Sequence, residues 1–426
     1  MGRVNRFVSW GKLLIYFFLI ILIGSLVGCR ANPNAPVPTE ENRSSLITLK
    51  VVADSEQAIE AFRMEEKAIR EKFHIRFQYF YPDRLSDHLE DFLFASKDTY
   101  DLYILFPAKL PEYVEREMLL PLDSYTSDDP SIQEIIPIYR NLYMHYGGHD
   151  YGVVYDGDAH LLFYRKDLLE KYGAEYKEKY GVPLTPPATW EEYDQIARFL
   201  TRDLNGDGKA DLYGTATFGG DAKRYIWFLE RYLSMGGEYF DEAMHPLIQG
   251  EKGVKALRDW LELQDSGAIP PQAMYDWIDL NHVFLDGKVA MVVQWSDTAR
   301  FTFDHKTWHS KVEGKIGWTL VPGDQKEAPR GGVWIGRILA IAKNSSHPNQ
   351  AWQVIQYLTS PEVSKQAVTS LTTINDPYRE SHFIPEGCGP FPDEATNRRF
   401  LTVLQESLQH TNGDLMILEG GNICKL

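Results

Sequence analysis

The stretch ITLKVVADSEQAIEAFRMEEKAIREKFHIRFQYF, Ile47 to Phe80, changes its hydrophobic period twice. Its first residues, ITLKVVA, alternate as a half-buried strand does. EQAIEAFRMEEKAIREKF, residues 56–73, then puts Ile59, Phe62 and Ile69 on one helical face. IRFQYF, residues 75–80, returns to a strand. A helical stretch from Leu85 to Ala95 and a third strand, DLYILF at 101–106, continue the alternation. Strands separated by helices predict an α/β fold, with a parallel sheet covered on both faces. Ligands of such sheets sit beyond the carboxyl ends of the strands. The loops Asp54-Ser55-Glu56 and Pro107-Ala108-Lys109 are therefore candidate ligand walls, with Glu56 a candidate contact.

A second αβ region spans about Ala159 to Pro322. AHLLFY (159–164) reads as a strand, followed by a helix from Lys166 to Tyr172. Thr189 opens another helix, with Glu192 three residues on, at capping-box spacing. KVAMVVQ (288–294) reads as a buried strand. A chain of 426 residues with two such regions predicts two domains rather than one core.

The amino-terminal residues read differently. Arg3, Arg6 and Lys12 precede LLIYFFLIILIGSLV (13–27), which carries no charge. A basic start followed by an apolar core describes a secretory signal over 1–28. Fifteen apolar residues are short for a spanning helix, which needs roughly 20. The run ends at Leu26-Val27-Gly28-Cys29, which resembles the lipobox of bacterial lipoproteins. That resemblance implies a diacylglycerol on Cys29, cleavage before it, and a lipid anchor on the extracytoplasmic face of a bacterial membrane. Residues 29–45 are proline- and asparagine-rich with little to bury, and read as a flexible tether.

A formal charge of −16 disfavours nucleic acid as a partner. Two cysteines besides Cys29, Cys388 and Cys424, are too few for a disulfide framework or a metal cluster, and their pairing is left open. The histidines show no ligand-like spacing, so no zinc is assigned.

YGVVYDGDAHLLFYRKDLLEKYG (151–173), PPATWEEY (186–193), FLDGKVAMVVQW (284–295) and AWQVIQYLTSPEVSKQAV (351–368) occur in that order, after YDLYILFPAKLPEYVEREMLLPLDSY (100–125). Together they resemble the family 1 extracellular solute-binding proteins of ATP-driven sugar importers. The resemblance implies a two-lobed periplasmic-binding-protein-like fold (type II) with a ligand cleft between the lobes. Lobe one would be 46–157 plus 331–385, and lobe two 158–330 plus 386–426. Crossings would fall near Tyr155–Ala159, Ala328–Gly331 and Pro385–Gly389. The further helix that usually closes lobe two in the family is expected to be missing here. The implied partners are a carbohydrate ligand and the permease subunits of an ABC importer.

DLNGDGKADLYG (203–214) carries the front half of a calcium loop. Asp203, Asn205 and Asp207 take positions 1, 3 and 5, the Lys209 carbonyl position 7, and Asp211 position 9. The bidentate glutamate due at position 12 is Gly214. A structural calcium is one reading and an Asx-rich turn the other; no other cofactor is implied.

Sugars present apolar faces and a rim of hydroxyls, so aromatic rings, carboxylates and amides are their ordinary contacts. Loop residues of those types are Tyr155, Asp158, Phe218, Asp221, Trp295, Asp297 and Trp334, with Gly332 allowing close backbone approach. Trp295 and Trp334 are the expected stacking platforms for a neutral sugar. Trp190, Trp260 and Trp352 lie in amphipathic helices and are read as core. Two other functions use the same features: a surface scaffold or adhesion lipoprotein, and a secreted glycan-acting enzyme. The chain shows no nucleophile elbow, phosphate loop or metalloprotease motif, and is read as a binding protein.

Overall fold

The computed structural model describes residues 46–81, 93–94, 98–219, 224–271, 276–327, 330–386, 389, 391–410, 412–413 and 415–416. Cys29, Asp221, Cys388 and Cys424 lie outside the described residues, as does most of the helix expected over 85–95.

The first sheet is built from β1 (Ile47–Val52), β2 (Ile75–Phe80), β3 (Leu102–Leu105), β4 (Val153–Asp156) and, from far along the chain, Arg337–Ile341. The order is β2-β1-β3, then Arg337–Ile341, then β4. β1 runs parallel to β2 and β3, as the alternation predicts. Arg337–Ile341 is antiparallel to both of its neighbours, so the sheet is mixed rather than wholly parallel. The helix Glu60–Phe73 buries Phe62 and Ile69 and ends at His74, whose φ of 57° reverses the chain.

The second sheet contains β5 (His160–Arg165), β6 (Tyr213–Thr215), β7 (Val289–Trp295) and β8 (Ile316–Thr319), in the order β8-β5-β7-β6. We call Arg337–Ile341, which follows them in the chain, β9. Every residue of β7 is buried, as expected of a continuous apolar run at the centre of a covered sheet. β5 is antiparallel to β7, pairing His160 with Trp295. Thr189 caps the helix Trp190–Leu200 by accepting from the Glu192 amide at 3.2 Å. The Glu192 carboxylate accepts from the amide of Ala188, at 2.9 Å.

The chain passes between the sheets at three places. The first is Gly157 to Ala159, between β4 and β5. A side chain on Gly157 would meet the carbonyl oxygen of Pro377 at 2.3 Å, so only glycine lets these two segments touch. The second passage lies at Ile335–Gly336, beyond the expected Ala328–Gly331. Val333 still belongs to the second lobe's side, where its amide donates to Glu230, whereas the Trp334 backbone bridges to Ala159 and its ring lies on Tyr139 of the first lobe. The third runs between Phe383 and Phe391. His382 is still bonded to Ser364 in the first lobe, whereas the Phe391 ring stacks on Trp318 of β8.

Helix Glu394–Leu408 lies on the second sheet, with Phe400 edge-on to Trp318 at 5.9 Å. Asp393 caps it by accepting from the Thr396 amide. Phe400, Leu401, Leu404 and Leu408 lie on its buried face. No described helix is long and apolar enough to cross a membrane.

Candidate functional site

Strand ends from both sheets meet where the chain crosses. In the first sheet, Asp54 follows β1, Phe106 follows β3, Asp156 ends β4 and Arg337 begins the oppositely directed β9. All four therefore lie at one edge. In the second sheet, Trp295 ends β7 beside His160, the first residue of β5. Between these edges is a cavity lined by Phe106, Asp158, Trp277, Trp295, Asp297, Ile335, Arg337 and Ile374. Its volume is about 20 Å³, room for about one water.

Charge is dense around this cavity. Arg337 donates Nε and Nη2 to the two oxygens of Asp54, at 2.9 and 3.0 Å, and Nη1 to Asp156 at 2.9 Å. Arg300, wholly buried, donates to Asp376 at 2.8 Å. Ser296 also donates to Asp376, which in turn presents its backbone amide to Asp156. Asp376 thus ties the third crossing segment to β4 on one side and to the second lobe on the other. Burial and the neighbouring Asp376 carboxylate push Asp156 up to about 7, against the pull of Arg337.

Asp158 and Asp297 are buried too, but among the described residues neither forms an ion pair, and Oδ1 of each has no hydrogen-bond partner. Burial raises Asp158 well above the carboxylate range, and Asp156, Asp297 and Asp376 add to it. Burial and Asp376 do the same to Asp297. Trp295 Nε1 likewise has no acceptor. The ring is held edge-on by His160 at 4.7 Å and Trp227 at 5.2 Å. Trp227 is itself fixed by a bond to the Val293 carbonyl, and His160 by Glu230 at 2.8 Å. The cavity therefore offers one indole donor and two carboxylate oxygens, on supports that leave them little freedom.

The family profile of bacterial extracellular solute-binding proteins matches residues 91–365. The chain belongs to that family. Among solved structures, this solute-binding protein is similar to one from Agrobacterium radiobacter K84 in complex with ribitol. The TM-score is 0.74 at 23% identity, over 89% of this chain and 92% of the other. T. maritima MalE3 with maltose bound gives 0.73 at 20% identity, over 89% and 92%. Both likenesses concern the fold, which is that of two-lobed sugar-binding proteins. Among curated relatives, the mannitol-binding protein of Pseudomonas aeruginosa is 27% identical over 251 residues, 58% of this chain and 52% of that one. The chain spans between about half and three fifths of the length of the curated relatives it matches.

Within this solute-binding protein, the candidate residues scatter. Asp158, Trp295 and Asp297 come together around the cavity. Glu56 does not line it. It is exposed and paired with Arg63, while its neighbour Asp54 turns inward to Arg337. Tyr155 is core, its hydroxyl donating to the Ala58 carbonyl and its ring against Phe62. Phe218 stacks on Trp227, one layer behind the cavity wall. Gly332 approaches protein rather than ligand, since a side chain there would meet the His160 carbonyl oxygen at 2.6 Å. Trp334, expected on lobe one as a stacking platform, is 1% exposed and lies on the Tyr139 ring at 4.4 Å.

In the 203–211 loop, Asp203 accepts from the amides of Gly206 and Gly208, Asn205 from Asp207, and Asp207 from Lys209. Asp211 accepts from the amides of Leu204 and Asn205. The backbone amides that Gly208 and its neighbours present hold the Asp203 carboxyl below its ordinary range. Among the described residues, no three His, Cys, Asp or Glu side chains come together as a metal site. The loop's bonds are those of an Asx-rich turn.

Phe106, Trp277, Ile335, Arg337 and Ile374 were missed. The loop after β3 had been marked as a wall, and Phe106 stands one residue before the part named. Nothing local distinguishes Trp277, at a helix start behind Asp276, from the core tryptophans.

Proposed function

We propose that this chain is the extracytoplasmic, lipid-anchored binding component of an ABC importer. It captures a sugar or polyol by closing its two lobes, and delivers it to a membrane permease. The observation that carries this reading is the cavity at the crossing, where Trp295, Asp158 and Asp297 present buried polar atoms with nothing to bond. Buried donors and acceptors left unpaired are costly, and a polyhydroxylated ligand would satisfy them. A cavity of about 20 Å³ admits no sugar, so entry requires the lobes to part about the three crossing segments. The relatives that bind ribitol, mannitol and maltose support a polyhydroxylated solute. A two-carboxylate glycosidase is the weaker reading, because burial raises both cavity carboxyls and, among the described residues, neither forms an ion pair.

A thermal-shift screen over monosaccharides, oligosaccharides and polyols, followed by titration calorimetry, tests the reading. Trp295→Ala is expected to weaken binding by roughly 2–4 kcal/mol. Its ring also packs on Trp227 and His160, so stability falls as well; Trp295→Phe keeps an aromatic ring there but removes the Nε1 donor together with part of the indole. Unchanged affinity in both variants would remove Trp295 from the site. The anchor is tested separately. Cys29→Ala is expected to abolish incorporation of labelled palmitate, and equal labelling of both proteins would exclude lipidation at Cys29.

A further inference from the structure

We propose that the captured solute is basic, an amino sugar or amino polyol whose ammonium group lies between Asp158 and Asp297. This narrows the sugar-or-polyol reading and rests on it. The charge inventory at the crossing carries the inference. Five aspartates, 54, 156, 158, 297 and 376, are buried there with two guanidiniums, those of Arg300 and Arg337. Arg337 is taken up by Asp54 and Asp156, and Arg300 by Asp376. The two carboxyls left over are the two that line the cavity. They are 3% and 1% exposed, and each has an Oδ1 without a partner.

A neutral polyol would satisfy the hydrogen bonds but give neither carboxyl a counter-charge, so ionising either one in the buried site would remain costly. An ammonium supplies three donors and the missing charge together. Trp277 and Trp295 border the same space and aromatic rings attract cations, while the Phe106 ring already carries the Arg337 guanidinium at 4.8 Å. Trp295 Nε1 is left to donate to a hydroxyl of the same ligand.

Protons replace the ligand's charge while the site is empty. Asp158 is faced by Asp156, Asp297, Asp376 and Arg337, and Asp297 by Asp376, Arg300, Asp156 and Arg337. Burial and the acidic majority raise both and so favour their protonated forms. An ammonium that displaces a proton on entering binds more tightly as pH rises. A neutral polyol that accepts from the protonated carboxyls shows the reverse slope.

Calorimetry on the full-length protein compares glucosamine with glucose and N-acetylglucosamine, and 1-amino-1-deoxysorbitol with sorbitol. At least one amine is expected to bind about 10- to 100-fold more tightly than its neutral parent, the range of a lost charged hydrogen bond. Asp158→Asn and Asp297→Asn should each erase most of that preference while melting no lower than wild type at pH 8, which separates lost recognition from misfolding. Neutral parents binding as tightly as the amines, or a preference that survives both variants, overturns the basic ligand and leaves the sugar-or-polyol reading standing. Absence of saturable binding and of any melting shift across the panel overturns both.

Discussion

Two groups of aspartates in this protein invite the same first reading and behave in opposite ways. Asp203, Asp207 and Asp211 stand in a loop at the spacing of a calcium site. Asp156, Asp158, Asp297 and Asp376 come from three distant segments with no shared motif. In the loop, carboxylate oxygens accept from nearby backbone amides, and Asp203 is held below its ordinary range. At the crossing, the carboxyls are out of water, two have an oxygen with no partner, and three are pushed up. The difference is solvent and backbone. Exposed aspartates on a tight turn find N–H groups within a few residues. At the crossing the sheet uses most of those groups, so Asp156 and Asp376 are held by guanidiniums as well as by one amide and one hydroxyl, and Asp158 and Asp297 each keep an oxygen without a partner.

Arg337→Ala breaks the buried group most severely. It strands Asp54 and Asp156 without their cation, and is expected to cost about 3–5 kcal/mol of stability in a denaturant melt. A change no larger than that of an ordinary surface substitution would show that water reaches those carboxyls.

Asp297→Asn sharpens the contrast through pH. A carboxyl raised in the folded state contributes stability that is complete below its unfolded value, near 4, and lost as pH rises through the folded value. Wild type should therefore lose stability toward pH 8, and the asparagine variant should lose less. The two are expected to agree at pH 4 and to differ by on the order of 1 kcal/mol or more at pH 8. A gap that is constant across pH would mean Asp297 is ionised in the empty protein.

The smallest effect is expected in the loop. EDTA should leave the melting temperature unchanged, and Asp207→Ala should shift it only slightly, because the turn is closed by its own amides. An EDTA-sensitive melt that Asp207→Ala abolishes would restore the calcium reading.

By itself, the sequence determined the elements. Ile47–Val52, Ile75–Phe80 and Val289–Trp295 are legible because hydrophobic period and β-branched content are local properties, and so is the Thr189 cap. It also pointed to Trp295, Asp158 and Asp297, since a residue ending a buried strand stands where ligands of αβ sheets lie. Only the tertiary structure decided which aromatics are walls and which are core. Trp295 and Trp334 both border strand ends in loop-rich sequence, yet Tyr139, close to two hundred residues earlier in the chain, covers Trp334 and leaves Trp295 at the cavity. It also decided the pairing of Arg337 with Asp54 and of Arg300 with Asp376, contacts that span 283 and 76 residues. Ion pairs of that separation leave no trace in spacing, because what brings them together is the meeting of two sheets at three crossings of the chain.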